Sequence, residues 1–323
     1  MKTMIFSLFL LAGLMIAGCN NRQPKIGLLV HSFESPRWQK DQKYFVEAVK
    51  ELGGIPLTKI ADNDADKQFE QAKELINEGA NVLVVIPVDQ SIAAKIVNLA
   101  HDKDIKVIAY DRMINNCRLD YYVSTDNVRV GEIQAEYLTK VKPQGNYALL
   151  GGPPNDNNSR MIYIGQMNVL QPFVERGEIN IVYRQFADYW TTDEGYRLTK
   201  ACLDSTANKI EAIVCGNDAM ALGTIKALKE RGLAGQVAVA GQDADDANIQ
   251  QIMRGNQTVT VFKRIKTMAT TAAEIAIHLA KDEPVDPYLS TMSNGERLVP
   301  SYLVDAVAVN EGNIEMVVVA EGN

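Results

Sequence analysis

Val82-Leu-Val-Val-Ile86, closed by Pro87, is the stretch on which the fold turns. It is a continuous apolar run of strand length, rich in β-branched residues, with no polar alternation. A strand of that kind is covered on both faces, as in a parallel sheet. Immediately upstream, Asp64 to Glu78 places Phe69, Ala72, Leu75 and Ile76 on one helical face and stops at Gly79. Immediately downstream, Ile92 to His101 reads as a helix and Lys106-Val-Ile-Ala-Tyr110 as the next strand. Strand, helix and strand in that order form the unit of a doubly wound sheet.

Working outward, the same grammar fills the chain. Lys25 to Val30 is a strand, Gln39 to Leu52 a helix ended by Gly53-Gly54, and Ile55 to Ile60 a second strand. The pattern restarts after Tyr122-Val-Ser-Thr125. Helices are expected at Val130–Val141, Arg160–Arg176, Thr192–Asp204, Ala219–Arg231, Asp246–Arg254 and Lys266–Lys281. Between them lie strands at Tyr147–Leu150, Ile181–Phe186, Glu211–Cys215, Val237–Ala240 and Thr258–Phe262, with strand-like tails at Leu298–Val309 and Ile314–Val319. These units are too many for one sheet. The expected fold class is α/β, with two doubly wound parallel-sheet lobes joined by a multi-crossing hinge. Residues 25–125 with 264–299 make the N-terminal lobe, and residues 126–263 with 300–323 the C-terminal lobe.

The amino end is a targeting segment. Lys2 precedes the short apolar run Met4 to Ile16, which ends at Ala17-Gly18-Cys19. Small residues before a cysteine resemble a bacterial lipoprotein signal, with cleavage before Cys19 and lipid on its thiol; an ordinary cleaved signal is the plainer alternative. The run is short for a membrane span. Residues 1–24 are thus read as signal and tether, and the mature chain as lipid-anchored on the outer side of a membrane. The 323-residue chain carries a net charge of −7 without a Lys/Arg cluster, so nucleic acid is not an expected partner. His31, His101 and His278 lie far apart without acidic or Cys neighbours at ligand spacing, so neither a metal nor a cofactor is expected. Cys117, Cys202 and Cys215 leave room for one disulfide, but no spacing forces it.

Ligands of open α/β sheets bind beyond the carboxyl ends of the strands. There the sequence places Arg37-Trp38, Asp111-Arg112, Asp156-Asn157-Asn158, Trp190, Asn217-Asp218, Asp243 and Lys263. Forked and charged hydrogen-bonding groups suit a polyhydroxylated ligand, and aromatic rings suit the C–H faces of a pyranose. Trp38 and Trp190 are the chain's only tryptophans. Each residue has a structural reading as well: core aromatics, a strand-end ion pair, a turn that caps a helix, with Asp218 the expected cap of its helix. No phosphate-binding loop, dinucleotide fingerprint or nucleophile–base set is present, so an enzyme is not expected.

The stretches Arg37-Trp-Gln-Lys-Asp41, Tyr110-Asp-Arg-Met-Ile-Asn115, Asp156-Asn-Asn158, Gly165-Gln-Met167, Asn217-Asp-Ala219, Gly241-Gln-Asp-Ala244 and Thr270-Thr-Ala-Ala-Glu-Ile275 carry a resemblance. From about Lys25 onward the chain resembles the type I periplasmic binding proteins of the ribose- and galactose-like superfamily, and most closely its D-xylose-binding branch. The resemblance implies a substrate-binding protein of an ABC sugar transporter, monomeric, that closes on D-xylose or a related pentose. It implies sugar contacts from Arg37, Asp111 and Arg112 in the first lobe and Asp156, Asn158, Asn217 and Asp243 in the second. Lys263 would lie near the hinge, and Trp38 and Trp190 would sandwich the ring. Two features depart from the family pattern: the loop His31-Ser-Phe-Glu-Ser-Pro is less charged, and a freely diffusing member has no lipid anchor.

The partner is an ABC permease or, in a second reading, a membrane histidine kinase or chemoreceptor that reads the closed lobes. A repressor of similar fold would need a helix-turn-helix where Met1 to Cys19 stands.

Overall fold

A computed structural model describes residues 23–33, 35–285 and 290–316. The leader with Cys19, and the residues of the expected last strand beyond Met316, lie outside the described residues. The first βα series is β1 (Lys25–Val30), α1 (Pro36–Glu51), β2 (Ile55–Ile60), α2 (Ala65–Asn77), β3 (Val82–Val85), α3 (Gln90–His101), β4 (Lys106–Tyr110) and β5 (Tyr121–Thr125). The second is α4 (Asn127–Val141), β6 (Gly145–Gly151), α5 (Asn157–Glu175), β7 (Ile179–Phe186), α6 (Thr192–Ser205), β8 (Ala212–Cys215), α7 (Asp218–Glu230), β9 (Ala238–Ala240), α8 (Asp246–Met253) and β10 (Thr260–Lys263). The chain then returns through α9 (Ile265–Ala280), β11 (Ser290–Ser293), β12 (Leu298–Val304) and β13 (Ala306–Val309).

Two sheets result. The first has the order β11-β12-β5-β4-β3-β1-β2, parallel except for the β11–β12 hairpin. The second is the parallel set β7-β6-β8-β9. A bridge from Ala240 to Val259 leads on to the antiparallel pair β10–β13. Every residue of β3 is buried because α1 and α9 cover one face of the first sheet and α2 and α3 the other. Fully burying a Val or Leu contributes about 1.5–3 kcal/mol. That is why the uninterrupted apolar runs mark the sheet centres.

α4, α5 and α7 start earlier than periodicity suggested, because polar residues at strand ends cap them. Asp126 accepts from the Val128 and Arg129 amides, Asp156 from Asn158, and Asn217 from Met220. α1 begins at Pro36, so Arg37 and Trp38 sit in its first turn rather than on a loop. Asn217, not Asp218, caps α7. Pro24, expected at the end of the tether, is buried and its carbonyl accepts from the Ile55 amide at 2.8 Å.

The chain passes between sheets near Asp126, Arg264 and Asp305. The expected division at residues 299/300 cut β12 in two. Instead β12 runs unbroken along β5, from Ser301 beside Tyr122 to Val304 beside Thr125, so the last passage lies at Asp305. The expected strand from Ile314 is also corrected: Asn310 to Asn313 form a turn closed by side-chain hydrogen bonds, and Ile314 lies outside any strand. Cys117, Cys202 and Cys215 are buried free thiols, so the disulfide left open by the sequence does not form.

Close backbone approach fixes the second lobe. A Cβ on Gly131 of α4 would lie 2.0 Å from the Ile162 carbonyl oxygen, and one on Gly165 of α5 would lie 1.9 Å from that of Val128. Only glycine at both positions lets α4 and α5 touch backbone to backbone.

Candidate ligand-binding site

The ten residues for which the resemblance implies sugar contacts all line one cavity of about 800 Å³ between the two sheets, at the carboxyl ends of their strands, whereas Asn157 and Asp218, also at strand ends, do not. The first lobe brings Arg37 and Trp38 from α1 and Asp111 and Arg112 from the end of β4. The second brings Asp156 and Asn158 from the start of α5, Trp190 after β7, Asn217 after β8, Asp243 after β9, and Lys263 at the end of β10.

Arg37 organises the floor. Its Nη2 donates to Asp111 Oδ1 at 2.7 Å, its Nε to Asp41 Oδ2 at 3.2 Å, and its Nη1 to Asp243 Oδ1 at 3.4 Å across the cleft. Burial alone would lower the pKa of so enclosed a guanidinium. The carboxylates of Asp111, Asp41 and Asp243 outweigh it and hold the Arg37 pKa above its ordinary value. Burial likewise works against the Asp111 carboxylate. Arg37, and then Lys263, override it and keep that carboxyl below its usual range. Asp41 goes the other way: burial pushes it up, although Arg37 and the Tyr110 hydroxyl, which donates to its Oδ1, pull it down.

Asp111 also joins the lobes. Asn158 Nδ2 donates to its Oδ2 at 3.0 Å, while Tyr122 Oη and Ser124 Oγ donate to its carbonyl at 2.9 and 2.8 Å. These contacts hold Asp111 at φ 61°, and Asp243 stands at φ 102°. A side chain in that left-handed region costs on the order of 1–3 kcal/mol and persists only where surroundings enforce it. Behind Asp243 the enforcing group is Asp218. It accepts from Asp245 N at 3.0 Å, Thr260 Oγ1 at 2.9 Å and Gln257 Nε2 at 2.9 Å. Buried completely, and beside the Asp245 carboxylate, Asp218 has its pKa raised well above the ordinary range. It anchors the loop that carries Asp243. Sequence pattern alone missed this, because its partners lie 27 to 42 residues away.

A second cross-lobe pair lies higher in the cleft. Arg112 Nε is 3.3 Å from Asp156 Oδ2, the oxygen that also accepts from Trp190 Nε1 at 3.1 Å. Trp190 lies over Gly152, where a Cβ would come within 2.2 Å of its ring; any other residue there would displace the indole. Trp38 is 7% exposed and belongs to the first lobe's core as well as to the cavity wall. The Arg37 and Arg112 guanidinium carbons stand 4.3 and 5.7 Å from its ring centroid. Asn217 uses its oxygen as the α7 cap while its Nδ2 reaches the Trp190 carbonyl at 3.5 Å. Lys263 Nζ is 3.4 Å from Asp243 Oδ1. His31, Tyr189 and Asp245 line the same cavity and are not among the ten residues for which the resemblance implies sugar contacts. No helix among the described residues is long and apolar enough to cross a membrane.

Residues 26–284 match the model of a family described as periplasmic binding protein domain. The chain is 42% identical to the D-xylose-binding periplasmic protein of Escherichia coli, over 93% of this chain and 91% of that one. It is 41% identical to the D-xylose-binding periplasmic protein of Haemophilus influenzae, over 95% of this chain and 92% of that one. A solved carbohydrate-transporter solute-binding protein of Chloroflexus aurantiacus, in complex with D-glucose, superposes with a TM-score of 0.87 at 27% identity, covering 93% of this chain and 96% of that one. An ABC-transporter solute-binding protein of Clostridium phytofermentans with bound β-D-glucose gives 0.84 at 28% identity, covering 92% and 97%. With the family model matched over most of its length and two relatives above 40% identity along nearly all of it, this chain belongs to the type I periplasmic binding proteins.

Proposed function

We propose that this protein binds D-xylose between its two lobes and presents it to an ABC permease from the outer side of the membrane, where the lipid on Cys19 holds it. The observation that carries the reading is the cavity wall: two tryptophans, one from each lobe, beside a buried ring of charged donors and acceptors contributed by both. Indole faces suit the C–H faces of a pyranose. Arg37, Arg112, Asn158, Asn217, Asp243 and Lys263 then answer its hydroxyls, each of which both donates and accepts. The relatives above 40% identity are named for D-xylose, while the two solved neighbours hold glucose, so pentose against hexose is the comparison that matters. A pentopyranose lacks the exocyclic CH₂OH, and a cleft closed tightly around it excludes glucose by overpacking.

The role is binding rather than catalysis: the relatives are binding proteins by name, and the cavity's groups are spent on mutual charge and hydrogen-bond pairing. Arg37 with Asp243 and Arg112 with Asp156 pair across the cleft, and the hydroxyls of a sugar would share these groups. The ten cavity residues are the proposed sugar contacts, and the protein acts as a monomer. A thermal-shift panel of pentoses and hexoses tests the proposal, because a ligand that binds only the folded state raises its melting temperature. D-xylose should give the largest shift. A larger shift with glucose, or none with any sugar, would sink the reading.

A further inference from the structure

Gly152 and Gly216 follow β6 and β8. Both are buried and stand behind the Trp190 ring, which lines the cavity while they do not. A Cβ on Gly152 would lie 2.2, 2.3 and 2.4 Å from Cη2, Cζ2 and Cζ3 of the indole, three consecutive carbons on the outer edge of its six-membered ring. A Cβ on Gly216 would lie 2.7 Å from Cζ3. Neither glycine has the positive φ that would demand it on backbone grounds, so what each supplies is the missing methyl. Their backbones are pinned. The Gly152 carbonyl accepts from Ser159 Oγ at 2.8 Å. The Gly216 amide donates to the Leu150 carbonyl at 2.7 Å, and its carbonyl accepts from Gln242 Nε2 at 2.8 Å. The far side of the indole is held as well, by Nε1 donating to Asp156 Oδ2 at 3.1 Å. A methyl added on so fixed a backbone meets a half-buried ring, and it is the ring that gives way, toward the cleft.

We propose that Gly152 and Gly216 are positioning residues for the sugar: together they seat the Trp190 indole against the strand ends and so set the width of the cleft that the ligand ring enters. The inference rests on the sugar-binding reading above and deepens it. Packing sets the scale. Close-packed surroundings register a change of a single methylene, and a ring enclosed between protein walls is packed as a core side chain is. In the other lobe Trp38 is built into the core and does not withdraw to restore the space. The polar groups choose among hydroxyl patterns; the glycine seat fixes how thick a ring can be and still reach them.

The test is a double-mutant cycle on Gly152 and Trp190. Gly152 is the cleaner site, because the three atoms nearest its added Cβ all belong to the indole, whereas a methyl on Gly216 would also stand 3.0 Å from Gly152 N. By calorimetry, Gly152→Ala should weaken D-xylose by roughly 10-fold or more. In a Trp190→Phe background, whose shorter side chain stops short of Gly152, the same substitution should cost almost nothing. If Gly152→Ala alone fails to fold, the double variant should fold and bind as Trp190→Phe does; a double variant that also fails counts against the seat. Indole ¹H–¹⁵N signals, one for each of the two tryptophans and assigned by Trp190→Phe, give a readout without ligand. Gly152→Ala should move the Trp190 signal and leave that of Trp38 in place. Wild-type xylose affinity in Gly152→Ala, losses that simply add in the cycle, or an unmoved Trp190 signal overturns the proposal while leaving sugar binding intact. Absence of heat with every pentose on the wild type would instead remove the reading on which it rests.

Discussion

Arg37 Nη1 lies 3.4 Å from Asp243 Oδ1, a contact between residues 206 positions apart that ties the first turn of α1 in one lobe to the loop after β9 in the other. The same guanidinium holds Asp111 at 2.7 Å, and Lys263 Nζ approaches Asp243 Oδ1 at 3.4 Å. Two cations and two carboxylates therefore meet at the closure plane. A buried pair of this kind gains little net stability, since desolvation offsets most of its attraction, but breaking one partner strands the others. If the proposed sugar enters this plane, these four groups are the ones its hydroxyls would meet.

Removing the Asp243 carboxylate should weaken D-xylose by about 2 kcal/mol or more, because charged partners and sugar hydroxyls are both left unanswered. At φ 102° an alanine is strained, so Asp243→Asn, a residue that tolerates positive φ, separates lost charge from lost backbone conformation. Unaltered affinity in both variants, measured by calorimetry, would show that Asp243 is not a ligand contact.

The two tryptophans should report binding by emission, since the chain has no others. Trp38 is already 7% exposed, so most of the change should come from Trp190. Trp190→Phe should remove most of the signal, and with it the hydrogen bond to Asp156; Trp38→Phe should remove less. Both should weaken xylose. An emission that stays flat while calorimetry reads binding, with both variants binding normally, would make the indoles structural.

Asp218 and Asn217 should separate by readout. Asp218→Ala cuts three hydrogen bonds behind the Asp243 loop and should lower stability by roughly 2–3 kcal/mol. Asn217→Ala removes the α7 cap, at about 1 kcal/mol, and frees a cavity group. Denaturant titration should show the larger loss for Asp218. The reverse order would mean that the cap, not the buried network, holds this corner.

Stability should fall as pH rises from about 4 to about 7 in the part that Asp245 governs. Burial, and then the Asp243 charge, raise the Asp245 carboxyl from 3.8 to about 7. Between those values the folded chain holds a proton that the unfolded chain has released, so each step up in pH favours unfolding. Asp111 has the opposite sign: its lowered pKa contributes stability above its unfolded value, and that contribution is lost as pH drops below it. Melting curves of Asp245→Asn should be flatter than those of the wild type across pH 4–7. Identical slopes would exclude Asp245 as the titrating group.

Replacing Cys19 with Ser should release the protein from the membrane fraction and abolish metabolic labelling with palmitate. Retention of both would place the anchor elsewhere, in a leader that lies outside the described residues.

Most strands and helices were legible in the sequence because their causes are local, and the ten cavity residues were legible from their place at the strand ends together with the family resemblance. A parallel strand buried on both faces must be apolar without interruption, as Val82 to Val85 are, and residues at the carboxyl ends of strands lie at the cleft side of the sheet, although packing decides which of them reach the cavity. The sheet that claims β12 was not legible. Leu298 to Val304 would suit either lobe by composition, and only pairing with β5, more than 170 residues earlier, decides it. The same holds for Asp218, which reads as an ordinary cap beside Asn217. Its role follows from Gln257 and Thr260, which the fold brings to it from 39 and 42 residues away. It holds as well for His31, which follows β1 in sequence and is buried edge-on against Trp38 in the fold. Local periodicity and capping are short-range physics and leave their mark in neighbouring residues. Charge pairing, burial and strain at the cleft are set by groups that meet only when the chain has folded.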